Sequence, residues 1–204
     1  MIKGAYFSKC RTYRYALWRL WHDQENMIEI NGVKFPRNGY VMWIGLNPST
    51  ADESVDDPTI RRCISFTKSW GYDGMFMVNL FTYRATDPNE MLAQFSVRAD
   101  GQNIVGEYMN RSSPVGGCKN AQVVYHLQKK CALVVAAWGA NQNLIVKDRA
   151  SSMCSWFVDE KCPIDRDLHC VAMTMDFSPG HPLYVSAAAQ PTLYRQSWSS
   201  RMHE

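Results

Sequence analysis

A chain of 204 residues, 46% hydrophobic and 20% charged, carries enough apolar mass for one domain with its own core. That mix excludes a disordered segment or a fibrous repeat, and a formal net charge of +3 permits nucleic-acid binding without demanding it. The N-terminus Met1-Ile2-Lys3-Gly4 lacks the apolar core of a secretory signal, and no run approaches the roughly 20 apolar residues of a membrane helix. The cysteines number seven and form no C-x-x-C pair, so the sequence predicts reduced thiols in a cytoplasmic monomer, with neither metal nor redox cofactor.

In chain order, Arg11–Trp21 is rich in Tyr, Arg and Trp and predicts a helix over about 11–22, set against a sheet edge. Four nearly continuous apolar runs then predict strands: Tyr40–Leu46, Met75–Phe81, Ala132–Gly139 and His169–Thr174. Apolar residues without alternation fit a parallel sheet covered on both faces. After the first run, Asp57 as N-cap and Pro58 at the first helical position predict a helix to about Trp70, stopped by Gly71. Further helices are expected over Ala121–Lys130 and Lys147–Val158. Ser96–Gly117, with glycines at 101, 106, 116 and 117, reads as an irregular excursion or lid, and the last dozen residues as a fraying end. Strand alternating with helix predicts a single α/β domain over 1–204 with its core in about 40–186. Its architecture would be three-layer α/β/α around a central four-stranded parallel sheet.

In such a sheet, ligands collect at the carboxyl ends of the strands. The residues expected there include Asn47-Pro48-Ser49, Asn79 to Arg84, Gly139 to Asn141, and a turn running to His181. Four of these segments carry a resemblance. Ile44-Gly45-Leu46-Asn47-Pro48-Ser49 resembles the first motif of mismatch-type uracil- and thymine-DNA glycosylases, and His181-Pro182-Leu183 is similar to their second. Val78-Asn79-Leu80 resembles the asparagine segment with which uracil-specific members read the base, and Ala137-Trp138-Gly139 their third strand end. The stretches Leu46–Asp52, Asp56–Cys63, Asn79–Phe81 and Arg84–Pro88 also resemble a bacterial and phage family catalogued as a domain of unknown function.

The resemblance implies the uracil-DNA-glycosylase-like fold and an enzyme that flips a base out of DNA and hydrolyses its glycosidic bond. Asn47 would position the water, His181 would donate an N–H to the departing base, and Asn79 would read its edge. Gly45, Leu46, Pro48 and Ser49 would line the base pocket, and Leu183 would fill the gap left by the flipped nucleotide. Plainer roles stand beside these: Asn47 as a turn residue, His181 and Asn79 bonded to backbone, Leu183 as packing. Among the carboxylates, Asp57 is claimed by the helix cap and Asp52 by solvent, which leaves Asp56 as the freer catalytic candidate. Arg61, Arg62 and Arg84 are candidates for phosphate contacts, the first two equally for a solvated helix face. Two departures shape the expected substrate. Met175 and Gly180 stand where that bacterial and phage family has a Lys and an Arg, and Asn47 and Ser49 replace the acidic residue and tyrosine of uracil-specific enzymes. A wider pocket for a modified or mismatched pyrimidine is therefore expected over plain uracil, serving base-excision repair or defence against phage DNA.

Overall fold

The structure is a computed structural model describing residues 1–21, 27–30, 33–36, 39–95, 104, 118–158 and 166–194. Its strands among these residues are β1 (Ile2–Phe7), β2 (Arg14–Leu20), β3 (Met27–Ile30), β4 (Val33–Pro36), β5 (Tyr40–Gly45), β6 (Gly74–Asn79), β7 (Cys131–Ala136), β8 (Leu168–Cys170) and β9 (Thr192–Leu193). Its α-helices are α1 (Pro58–Ser69), α2 (Pro88–Phe95), α3 (Lys119–Gln128) and α4 (Leu144–Val158). Seven strands form one sheet in the order β1-β2-β6-β5-β7-β8-β9, and β3 pairs with β4 in a separate ribbon. Pairing is parallel for β6–β5, β5–β7 and β7–β8, and antiparallel for β1–β2, β2–β6 and β8–β9. The sheet is thus mixed and seven-stranded, wider than the four-stranded parallel sheet expected. Ser96–Gly117 lies outside the described residues except for Ile104, which is buried in the core, and so does the C-terminal stretch from 195.

The central strands are apolar throughout because both of their faces are covered. Met42, Ile44, Phe76, Val78, Val134 and Ala136 join one core with residues of α3 and α4. Val41, Trp43, Met75, Met77, Leu133 and Val135 join the other, with Ile60, Cys63 and Phe66 of α1. On that second face Trp43 stacks on Trp70 at 5.3 Å between ring centroids, and its Nε1 donates to Thr67 Oγ1 at 3.0 Å. Helix α1 begins as the sequence predicts: Asp57 Oδ1 accepts from the Ile60 amide at 2.8 Å, and Pro58 follows the cap. It ends at Trp70, followed by Gly71 at φ +81°, a conformation that glycine tolerates best.

Over the described residues 11–21 the predicted helix of 11–22 does not form. These residues supply β2, which is buried on both sides between β1 and β6. Its apolar residues therefore occupy consecutive positions, and two arginines inside the run gave it the mixed appearance of an amphipathic helix. Both arginines are buried, Arg14 at 2% exposure and Arg19 at 0%. Arg19 is fully engaged: Nε meets Asp56 Oδ1 at 2.6 Å, and its two terminal nitrogens donate to the Trp18 and Asp52 carbonyls, each at 2.8 Å. Asp56 also receives Lys3 Nζ at 3.1 Å. Removing one partner of a buried ion pair leaves the other charge uncompensated, which typically costs about 3–5 kcal/mol. Asp56→Ala should accordingly lower the thermal midpoint by on the order of 10 °C. An unchanged midpoint in thermal unfolding would show that the pair does not support the β1–β2 edge.

The chain leaves β5 toward α1 on one face and leaves β7 toward α4 on the other. These two strands are neighbours, so their exits diverge and open a crevice at the carboxyl edge of the sheet.

Candidate functional site

A cavity of about 820 Å³ fills that crevice. Its walls are the exits of β5 (Gly45, Leu46, Asn47, Ser49), β6 (Asn79) and β7 (Ala137, Trp138, Gly139), the start of α1, and the turn from Gly180 to Val185. Its size lies within the roughly 300–1,000 Å³ usual for small-molecule sites.

The β5 exit is held rigidly by the exit of β6. Leu80 N donates to Gly45 O at 2.9 Å, Phe81 N to Leu46 O at 3.0 Å and Ala85 N to Pro48 O at 2.9 Å, while Ala137 N reaches back to Ile44 O at 2.8 Å. The Asn47 side chain is fixed in the same way, since its Nδ2 donates to Ala85 O at 2.7 Å. With the amide nitrogen tethered, Oδ1 is left as an acceptor at the cleft wall, able to orient a water but not to take its proton. Pro48 is buried behind this loop and does not line the cleft.

Asn79 is 4% exposed and lines the cleft with Arg14. Arg14 Nη2 donates to Asn79 Oδ1 at 3.4 Å and Nη1 to Ala51 O at 2.8 Å. Arginine offers only donors, so Oδ1 faces Arg14 and Nδ2 lies over Gly45. A Cβ on Gly45 would stand 2.7 Å from that nitrogen, so this glycine is what admits the Asn79 amide. Arg14 has no ion pair among the described residues, and its buried Nε has no hydrogen-bond partner. Burial draws the guanidinium down to about 10, with Asp57 opposing the shift and Arg84 and Arg19 adding to it. It remains a cation at neutral pH.

Asp57 lies at the cleft wall as well as at the α1 cap. One carboxylate oxygen holds the Ile60 amide; the other has no hydrogen-bond partner among the described residues. His181 faces it electrostatically. Burial lowers this imidazole below its ordinary value, and the negative charge of Asp57 partly restores it. His181 Nδ1 accepts from Leu183 N at 3.4 Å, which puts the proton of the neutral ring on Nε2. Gly139, at φ +75°, backs the ring: a Cβ there would come within 3.2 Å of His181 Cβ. At the mouth, Leu183 is 40% exposed and Tyr184 87%, whereas Met175, 100% exposed, does not line the cleft. Met175 sits at the tip of a tight turn closed by Thr174 N to Ser178 O at 2.9 Å and by a contact of Thr174 Oγ1 with Asp176.

Several expected site residues stand elsewhere. Asp56 is consumed by Arg19 and Lys3 and does not line the cleft, because β2 delivers a buried cation to it; the carboxylate at the cleft is Asp57. Arg62 donates to the carbonyls of Val185 at 2.7 Å and Pro182 at 3.3 Å, so it braces the His181 turn instead of offering a free phosphate contact. Arg61 is exposed and bonded to the Asp56 carbonyl. Arg84 lies over the Phe7 ring at 4.9 Å, outside the cleft. Asp52 is held down to about 2 by the Val55 and Ser54 amides and shapes its own loop. Among the cysteines, burial raises Cys63, Cys131, Cys154 and Cys170, whereas exposed Cys10 is drawn down to about 7 by hydrogen bonds from Ser8 and Thr12. No group of three His, Cys, Asp or Glu among the described residues is arranged to hold a metal ion.

The arrangement defines a mixed α/β protein with a cleft at the carboxyl edge of its sheet. Residues 14–183 match the family described as "Protein of unknown function (DUF1643)", and the chain belongs to that family. No curated protein and no solved structure matches it.

Two outcomes follow from this geometry. Gly45→Ala should displace the Asn79 amide while leaving the fold intact, because the clashing atom is a side-chain end; near-native circular dichroism with weakened ligand binding is expected, and native binding would free Asn79 from that role. For His181, the folded-state pKa lies below the unfolded value of 6.5. Its contribution to stability is therefore complete above pH 6.5 and is lost as pH falls through the lower, folded value. His181→Gln should flatten the acid limb of midpoint against pH below 6.5; parallel curves would exclude the coupling.

Proposed function

We propose that the chain is a monofunctional DNA glycosylase that extrudes a nucleotide and hydrolyses its N-glycosidic bond, leaving an abasic site. The observation that carries this reading is the convergence of Asn47, Asp57, Asn79 and His181 on one cleft behind an exposed apolar rim. The parallel run β6-β5-β7-β8 inside the wider sheet supports a uracil-DNA-glycosylase-like core, as do the motifs it carries at its strand ends.

The transition state places positive charge on the sugar and negative charge on the leaving base. Asn47 Oδ1 holds a water toward the anomeric carbon. As the bond from that carbon to the base nitrogen breaks, its electron pair leaves with the base, and the Nε2–H of His181 stabilises the anion. The free oxygen of Asp57 faces the sugar cation and takes the proton from the attacking water. Leu183 and Tyr184 occupy the space vacated in the duplex. A free nucleoside would need no such rim, which favours DNA as the substrate. Repair of damaged bases or removal of modified phage bases are the settings that suit a modified or mismatched pyrimidine.

Oligonucleotides carrying uracil, mismatched thymine, or hydroxymethylated or glycosylated cytosine test this directly, with alkali-labile sites and released base as readouts. Asn47→Ala should reduce cleavage by roughly 10²-fold, the cost of losing a positioned reactant. Equal cleavage by wild type and variant would remove Asn47 from the mechanism, and no released base from any substrate would sink the reading.

A further inference from the structure

Arg14 lines the cleft, yet water positioning and base departure do not use it. Of the five N–H donors of its guanidinium, two have acceptors, Ala51 O and Asn79 Oδ1. Buried polar groups are almost always satisfied, and a buried cation almost always has a counter-ion. Arg19, five residues along the same strand, obeys that rule through Asp56, whereas Arg14 does not. The two sites differ in place: Arg19 lies outside the cleft and Arg14 lines it. The neighbouring donor, Asn79 Nδ2, is also without an acceptor among the described residues, since Arg14 fixes the opposite end of the amide.

We propose that Arg14 and the Asn79 amide form an oxyanion subsite at the floor of the cleft, taking a carboxylate borne by the ligand's base. The inference rests on reading the cleft as a base pocket. With Nε buried, the guanidinium has one further N–H on each terminal nitrogen, a pair that matches a singly charged planar group, whereas a phosphate dianion would call for more cation than the cleft supplies. The ligand class is therefore an oxidised or carboxylated pyrimidine. Arg14 acts in it as a specificity-determining residue.

The test compares free bases by isothermal titration calorimetry at pH 7: 5-carboxyuracil, thymine as the neutral counterpart of similar size, uracil, and inorganic phosphate. Wild type should bind 5-carboxyuracil at least about tenfold more tightly than thymine, the usual worth of a charge-assisted hydrogen bond. Arg14→Gln should abolish that ratio and Arg14→Lys should keep part of it. Because the ratio is first measured on the wild type, a variant that fails to fold leaves the test intact. No preference in the wild type, a preference untouched by Arg14→Gln, or phosphate competing as well as 5-carboxyuracil would overturn the proposal. Preference without excision from any oligonucleotide would retain the subsite and remove the glycosylase reading; excision without preference would do the reverse.

Discussion

The cleft depends on one constraint, the backbone lacing of the β5 exit to the β6 exit. Gly45, Leu46 and Pro48 offer carbonyls to Leu80, Phe81 and Ala85, and the Asn47 side chain closes the series on the Ala85 carbonyl. A loop that would otherwise lose order at the surface is thereby given the precision of a strand pair. Three polar groups at the cavity are then set by their own elements: Asn79 by β6, Asp57 by the α1 cap, and His181 by a turn that Arg62 braces from behind. Such a framework presents its groups with little further ordering to be done on binding.

Strand β2 adds a second layer of control. It brings two arginines into the interior, and the protein treats them oppositely. Arg19 is neutralised by Asp56 and fastens the sheet edge to the loop before α1. Arg14 has no ion-pair partner among the described residues; Asp57 and Asp52 act on its charge only at a distance, and it lines the cleft. Stability would be served by an apolar residue there. Retaining a cation at such a position is the pattern expected where binding, and not folding, sets the residue.

Much of this was legible in the sequence. The three central strands are continuous apolar runs because they are buried on both faces, and the cap, proline and glycine around α1 fixed that helix to within a residue. The strand-end positions of Asn47 and Asn79 follow from the alternation of strand and helix, whereas His181 lies on a turn eleven residues beyond β8. What escaped is tertiary in origin. In β2, burial on both sides erases the alternation that marks a strand, so residues 11–22 read as a helix and nothing local marks Arg14 as a cleft residue. Only the register Leu17 to Met77 places it beside an asparagine 65 positions away. The exchange of Asp56 for Asp57 has the same source, since the claim on Asp56 comes from that hidden strand. Asp57 does cap α1 as read, but nothing local shows that the cap also faces a cavity.

Chemical-shift mapping of the isotope-labelled protein on titration with a short duplex containing a stable abasic-site analogue tests the central claim most directly. Perturbed amides are expected at 45–47, 49, 79, 137–139, 180, 181 and 183–185, in the segments that meet at the carboxyl edge. Shifts confined to the opposite groove, around Tyr6, Lys119 and His126, would contradict it.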